Sequence, residues 1–272
     1  MRDILDLDRY PLDAPGTPAA EALVANCTAS LASRGMFNLD DLVRPEVTAA
    51  LATEIGTRVF AEGYEHRRRH NIYFDDSIAL DPAHPARKQV ETSNHTLCAD
   101  QLARSALDRI YRYPALIDFV AATLGKPVLH PMADPLAAVN VMGYREGEAL
   151  NWHFDRSEFT ITLLLQAPDH GGEFEYRQHA RSDTDPNYEG VARLLRGEDD
   201  AVDRVRLTPG TLNVFKGRNT AHRVTPVGGS TPRLIAVFSY FDRPGVHFSA
   251  AEQRGFYGRE KATPDTRARR SS

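Results

Sequence analysis

Cysteine, long apolar runs and an excess of one charge are all scarce in this sequence of 272 residues. The two cysteines, Cys27 and Cys98, form no CxxC pair, which predicts buried free thiols and not a disulfide framework or a zinc site. No apolar run approaches the roughly 20 residues that a membrane-spanning helix needs. The formal net charge of −4 gives no general attraction to nucleic acid or to an anionic membrane.

Several targeting and binding signals are also missing. The first ten residues, MRDILDLDRY, are charged throughout and lack the apolar core of a signal peptide. The sequence contains no P-loop, GxGxxG or GxSxG motif, which removes the common phosphate, dinucleotide and nucleophilic-serine sites. We therefore expect a cytoplasmic protein without a nucleic-acid or membrane partner, and a homodimer is compatible with the sequence.

Hydrophobic spacing changes along the chain from helical to strand-like. In the first half apolar residues recur every three or four positions, and they predict helices at about residues 18–34, 45–62, 99–113 and 114–124. Residues 77–97 have the composition of a loop. From residue 137 onward, short β-branched and apolar runs predict strands, interrupted by a polar excursion. We expect an α+β fold in which N-terminal helices support a barrel or sandwich of strands.

One stretch, from Tyr144 to Arg156, places His153 and Asp155 two residues apart where a strand is predicted to end. Side chains at positions i and i+2 of a strand face the same side, so the imidazole and the carboxylate point into one space. His222, which follows a turn and begins a later strand, is the best third donor. Two histidines and one carboxylate form the facial triad that is typical of non-haem Fe(II) sites.

The residues around this triad resemble the Fe(II)/2-oxoglutarate-dependent dioxygenases. The pattern HxD…H…R, which ends at Arg233, is accompanied by GGEFE at 171–175, PGTLNVFK at 209–216 and HRVTPV at 222–227. The nearest branch is the prolyl-hydroxylase type, over roughly residues 138–242. The likeness implies a double-stranded β-helix, which is the jelly-roll core of the cupins. It also implies an enzyme that uses Fe(II), 2-oxoglutarate and O2 and releases succinate and CO2.

By this resemblance, His153, Asp155 and His222 are the iron ligands. Arg233 would bind the distal carboxylate of 2-oxoglutarate, a role that suits a planar bidentate cation. Tyr144 is either a hydroxyl donor to the same carboxylate or an aromatic residue of the barrel core. Asn140 is a further candidate for contact with 2-oxoglutarate.

A second resemblance covers more of the chain. Its length, its helical first half, the segment NIYF at 71–74 and the core WHFD at 152–155 are similar to the BesD-type enzymes, which halogenate or hydroxylate free amino acids. The halogenases of this group have a small residue in place of the metal-binding carboxylate. Asp155 therefore implies the hydroxylating branch and no chlorination. The expected reaction is hydroxylation of an unactivated C–H bond in a small amino acid or a metabolite derived from one.

The resemblance implies a single oxygenase domain over residues 1–272. Residues 1–130 would be mainly helical support and lid, residues 131–245 the jelly-roll core, and residues 246–272 a C-terminal tail. Peptidyl or prolyl-type protein hydroxylation, desaturation and cyclisation stay open as alternatives. A long open groove would favour a peptide, whereas a closed pocket under residues 65–97 would favour a metabolite. A non-catalytic jelly-roll binding module is disfavoured, because it should lack a complete set of metal ligands.

Substrate contacts are predicted near the triad and in the basic run at 67–69. Arg156 either faces the cavity mouth or pairs with Glu158 or Asp200. The basic run is either a solvated charge cluster or sends one side chain over the cavity, and with Arg156 that side chain would select an anion. Leu150 and Arg156 also argue against lysine as the substrate, because its ammonium group would need acidic and polar neighbours. The substrate candidates are Arg69, Asn71, Tyr73, Leu150 and Arg156.

Overall fold

Six α-helices form within residues 1–261, the part of the chain that the computed structural model describes. Three of them begin at a proline, which suits the first turn because its missing N–H group would have no partner there. Gly35 ends the first helix in the left-handed conformation, with φ of 71°. The helices are α1 (Pro18–Arg34), α2 (Pro45–Glu62), α3 (Ala106–Tyr111), α4 (Pro114–Thr123), α5 (Tyr188–Arg196) and α6 (Ala250–Tyr257).

Fifteen strands in the described chain form two main antiparallel sheets and two short pairs. The strands are β1 (Met36–Leu39), β2 (Tyr64–His70), β3 (Val90–Leu97), β4 (His130–Pro131), β5 (Val139–Tyr144), β6 (Leu150–His153), β7 (Thr160–Gln166), β8 (His170–Gly171), β9 (Phe174–Arg177), β10 (Asp203–Val205), β11 (Leu212–Phe215), β12 (Ala221–Val224), β13 (Val227–Gly228), β14 (Arg233–Phe238) and β15 (Tyr240–Phe241). The larger sheet has the order β1-β11-β7-β14-β5-β3-β2, and the smaller has the order β10-β9-β12-β6. This arrangement confirms the predicted α+β class with a jelly-roll core.

Helix α2 covers part of one face of the larger sheet. Helix α2 packs on β3, β5 and β7, with Ile55 and Val59 fully buried against them. Gly143 of β5 permits this close approach, because a Cβ atom there would lie 2.9 Å from the Val59 Cγ1 atom. The other face of the sheet is left to line a cavity with the smaller sheet. No helix in the described residues has the length and apolar character to cross a membrane.

The structure differs from the sequence prediction within the helical half and in the C-terminal segment. The predicted loop at 77–97 contains strand β3, and the basic run is itself strand β2, paired with β3 along its whole length. Both strands are mostly polar, so they lack the apolar alternation that would have indicated them. The C-terminal segment contains helix α6, which begins with a capping box between Ser249 and Glu252. The arginine-rich end of the predicted tail lies outside the described residues.

Candidate metal centre

His153 and His222 lie directly opposite each other on paired strands. His153 ends β6, His222 lies in β12, and the centres of their rings are 4.1 Å apart. Asp155 follows His153 by two residues, and its Oδ1 atom lies 3.5 Å from the Nε2 atom of each imidazole. One donor atom from each of the three residues lies within 4.8 Å of the others. The strand pairing therefore brings together the three side chains that the sequence predicts as metal ligands.

Backbone carbonyl groups fix the orientation of both imidazoles. The Nδ1 atom of His153 lies 2.8 Å from the Asn151 carbonyl oxygen, and that of His222 lies 3.0 Å from the Thr220 carbonyl oxygen. Because a carbonyl oxygen only accepts, each Nδ1 atom carries the hydrogen and each Nε2 atom is left free to bind a metal. Burial, with the neighbouring His222, lowers the pKa of His153 and favours this neutral form.

The carboxylate of Asp155 is held in its charged form. Burial alone would raise its pKa, but the two imidazoles outweigh burial and hold the pKa well below its usual range. The Thr160 hydroxyl donates a hydrogen bond of 2.5 Å to Oδ2, and the Asp155 backbone N–H donates to the Gly217 carbonyl oxygen at 3.2 Å. The carboxylate thus keeps Oδ1 directed toward the imidazoles, as a metal ligand requires.

Gly217 leaves the space that this carboxylate occupies. A Cβ atom at position 217 would lie only 2.1 Å from the Asp155 Oδ2 atom, so the Gly217→Ala side chain must push the carboxylate away. We expect this variant to bind a divalent transition metal about 10–100-fold more weakly, the range typical of losing an outer-shell support. Calorimetric titration with the metal measures the change. Gly255→Ala is the matched control, because a Cβ atom there meets nothing within 4 Å. Equal metal affinity in the two variants would show that the carboxylate does not depend on this gap.

Arg233 is a buried cation that has no anionic partner in the described part of the chain. It lies in β14 opposite Tyr144 in β5 and is 2 % exposed. Its Nε atom donates to the Gly172 carbonyl oxygen at 3.1 Å, while Nη1 is buried without a hydrogen-bond partner. Burial lowers the pKa of Arg233 to about 10. A buried guanidinium in this state is suited to bind an anionic ligand.

Tyr144 completes the surroundings of this cation. Its ring centre lies 6.0 Å from the Arg233 Cζ atom, and within residues 1–261 its hydroxyl has one hydrogen-bond contact, with the Met142 sulfur at 3.6 Å. Burial raises the pKa of Tyr144 to about 12, so the hydroxyl keeps its proton near neutral pH. A carboxylate ligand could therefore receive hydrogen bonds from both residues.

A cavity of about 310 Å³ contains the triad, Arg233 and Tyr144. Both sheets contribute to its walls, and β2 and helix α6 complete them. The remaining lining is largely apolar and aromatic, and includes Leu150, Phe154 and Phe256. The metal donors and the buried guanidinium thus line one cavity, and not two separate sites.

Two of the predicted substrate residues line this cavity. Leu150 lies in β6, and Arg156 follows the metal carboxylate. Arg156 lines the cavity, and it also forms a surface ion pair, but the partner is Glu252 of α6 at 3.4 Å and not the predicted Glu158, which pairs with Lys126. Local sequence could not indicate this partner, because Glu252 lies in α6, which comes after the jelly-roll core in the chain.

Four other predicted residues do not line the cavity. Asn140 donates to the Leu136 carbonyl oxygen and accepts from the Tyr257 hydroxyl at 3.0 Å, so its amide is used within the core. Asn71 caps its own turn by accepting from the backbone of Tyr73 and Asp75. The Tyr73 hydroxyl donates to the Pro186 carbonyl oxygen. These polar groups hold the backbone and are not free for a ligand.

Arg69 is the fourth of the predicted residues that do not line the cavity. Its neighbour Arg68 lines the cavity instead. Side chains alternate along β2, so His66, Arg68 and His70 face the cavity while Arg67 and Arg69 face away. The sequence could have indicated that Arg68 shares a face with two histidines, because His66 and His70 flank it at spacing i±2. Phe74 and Phe256 also line the cavity and were missed.

Comparison with known proteins identifies the family and the fold. A family model, HalD: Halogenase D, matches residues 19–253. Among solved structures, the epimerase SnoN from nogalamycin biosynthesis, in complex with Fe3+, alpha-ketoglutarate and nogalamycin RO, is 16% identical with a TM-score of 0.57, over 82% of this chain and 84% of that chain. A Pseudomonas putida prolyl-4-hydroxylase is 18% identical with a TM-score of 0.50, over 79% and 98%. HygX from Streptomyces hygroscopicus, with nickel and 2-oxoglutarate bound, is 13% identical with a TM-score of 0.52, over 79% and 85%. No curated protein sequence matches this chain.

Proposed function

We propose a function from the premise that this chain belongs to the Halogenase D family. The protein is an Fe(II)- and 2-oxoglutarate-dependent oxygenase that hydroxylates a small amino acid or a metabolite derived from one. The observation that carries the proposal is the complete triad of His153, Asp155 and His222 in one cavity with the unpaired Arg233. A non-catalytic jelly roll would have no need to bury such a set.

The triad fits Fe(II) by its donor chemistry. Two imidazoles and one carboxylate converge from one side, which leaves positions for other ligands. Their orientation is fixed by the carbonyl groups of Asn151 and Thr220 and by the Thr160 hydroxyl. When bound, Fe(II) with 2-oxoglutarate and O2 would supply the oxidising power for C–H cleavage, with release of succinate and CO2.

Arg233 and Tyr144 fit the distal carboxylate of 2-oxoglutarate. The Gly172 carbonyl oxygen holds the Arg233 Nε atom, so the terminal nitrogens are directed to a partner. A planar guanidinium binds a carboxylate through two parallel hydrogen bonds, and the Tyr144 hydroxyl would add a third. The negative charge of this ligand would compensate a cation that is otherwise costly to bury.

The walls of the cavity support a small substrate over a peptide. Strand β2, the following Phe74 and helix α6 with Phe256 contribute walls around the triad, and the cavity volume of about 310 Å³ suits a metabolite. These side chains exclude water and orient the carbon that reacts, which are the contributions a protein makes beside its cofactor. We extend the proposal to a single oxygenase domain that acts in the cytoplasm.

Asp155 favours oxygen transfer over halogen transfer despite the family name. Its carboxylate occupies the third metal-ligand position, where Thr160 and the gap at Gly217 hold it. We expect a product that gains one oxygen atom and no chlorine, even in a chloride buffer. Mass spectrometry of the reaction mixture measures this outcome. A chlorinated product would show that the carboxylate leaves the metal during turnover.

The test of the proposed function is succinate formation that depends on Fe(II) and on a substrate from a panel of free amino acids and their derivatives. A product lacking two hydrogens would instead identify a desaturase or a cyclase, an alternative that stays open because the same fold also serves an epimerase, SnoN. If wild-type protein consumed no 2-oxoglutarate with any panel member and Fe(II), the proposed function would be wrong.

A further inference from the structure

The charge of the cavity is strongly one-sided. Three guanidinium groups line it, from Arg68, Arg156 and Arg233, whereas Asp155 is the sole carboxylate among the lining residues that the structure describes. Both oxygens of Asp155 are already engaged, Oδ1 near the two imidazoles and Oδ2 by Thr160. If 2-oxoglutarate neutralises Arg233, two positive charges remain without a counter-charge inside the cavity.

Arg68 is the better placed of these two cations. Its Cζ atom lies 4.5 Å from the centre of the Phe74 ring, which holds the guanidinium flat against the cavity wall. No carboxylate of the described chain lies within 4.0 Å of it, whereas the outward-facing Arg67 pairs with Glu65 at 2.6 Å. Burial, and then the charge of Arg156, lowers the pKa of Arg68, so an anion beside it would relieve both effects.

Arg156 has a partner that it can exchange. Its side chain is 68 % exposed and pairs with Glu252 at 3.4 Å, while its Cζ atom lies 5.9 Å from the Phe256 ring centre. An exposed ion pair of this kind contributes little free energy. Arg156 can therefore turn from Glu252 to an anionic ligand at small cost.

We infer that the substrate carries a net negative charge, held by Arg68 together with Arg156, and that its side chain carries no cation; this presupposes the oxygenase function proposed above. A cationic side chain in the cavity would meet guanidinium groups and, among the described lining residues, no carboxylate that is not already engaged, which disfavours it. The matching compounds are dicarboxylic amino acids and acids whose amine is masked by acylation. The two groups share a net negative charge near neutral pH.

The experiment compares five small probes that differ in charge, three of which share the leucine skeleton. Binding of L-glutamate, N-acetyl-L-leucine, L-leucine, leucinamide and L-lysine is measured by calorimetry on protein loaded with Ni(II) and 2-oxoglutarate, so that no turnover is needed. We expect glutamate or N-acetyl-leucine to bind at least ~10-fold more tightly than the uncharged or cationic probes. Arg68→Gln should weaken binding of the tighter-binding acid ~10-fold or more, and Arg68→Lys should restore part of that loss. Arg69→Gln is the matched control, because Arg69 lies on the outward face of β2.

The outcomes separate this inference from the proposed function. Four results would each overturn the inference. They are tighter binding of leucinamide or lysine than of the acids, equal binding of the acids and leucinamide, equal effects of Arg68→Gln and Arg69→Gln, and no binding of either acid. Selective binding of glutamate identifies a dicarboxylic amino acid, and selective binding of N-acetyl-leucine identifies a masked amine. The proposed function is judged independently, by whether wild-type protein with Fe(II) consumes 2-oxoglutarate.

Discussion

Asp155→Ala is expected to abolish iron-dependent consumption of 2-oxoglutarate. The change removes one of three metal donors and also the anion that both imidazoles share at 3.5 Å. Loss of an outer-shell partner typically costs about 10–100-fold in metal affinity or activity, and loss of a ligand should cost more. Calorimetric titration with Fe(II) under anaerobic conditions, together with succinate release, measures the two effects separately.

The control for this variant must carry the same chemical change away from the site. Glu158→Ala suits the purpose, because Glu158 lies three residues on and pairs with Lys126 at the surface. Both variants should give the circular dichroism spectrum of the wild type, and only Asp155→Ala should lose metal. Full turnover by Asp155→Ala, or by His153→Ala, would make the assignment of this site wrong.

The metal donors could be predicted from the sequence because local rules place them. Spacing i, i+2 at a strand end puts His153 and Asp155 on one face, and the turn before β12 marks His222 as the start of a later strand. The direct pairing of His153 with His222 is different, because the register between distant strands depends on the whole sheet. The resemblance to known oxygenases supplied this long-range link.

The walls of the cavity could not be predicted in the same way. Strands β2 and β3 are polar because both meet the cavity on one face, where Thr92, Asn94 and Thr96 of β3 lie, and the outer face of β2 meets solvent, so neither has a hydrophobic pattern. Phe256 lies in a segment whose composition predicts a polar tail, and hydrogen bonds to Asp134 hold this segment in place. The buried Asp134 carboxylate accepts from the Phe248 backbone and the Gln253 amide, which attaches α6 to the barrel. Such contacts join residues more than 100 positions apart.

Arg233→Met should show separately how the buried charge affects folding stability and how it affects ligand binding. Without ligands, the wild type buries a guanidinium whose Nη1 atom has no partner, so a methionine of similar reach should leave the melting temperature unchanged or raise it. Binding of 2-oxoglutarate should fall by about two orders of magnitude or more, in line with the 2–5 kcal/mol that loss of one partner of a buried charge pair costs. Arg233→Lys, which keeps the charge but not the bidentate geometry, should bind with intermediate affinity.

Thermal unfolding with and without 2-oxoglutarate, in the presence of Ni(II), measures both halves of this prediction. A ligand that binds only the folded protein raises the melting temperature by mass action, so 2-oxoglutarate should stabilise the wild type but not Arg233→Met. A variant that is markedly less stable without ligand would assign Arg233 to the barrel core. An equal rise in both proteins would place the ligand elsewhere, since the only anchor on β14 for a distal carboxylate would then be gone. Opposite signs for stability and binding are the signature of a cation kept for its ligand.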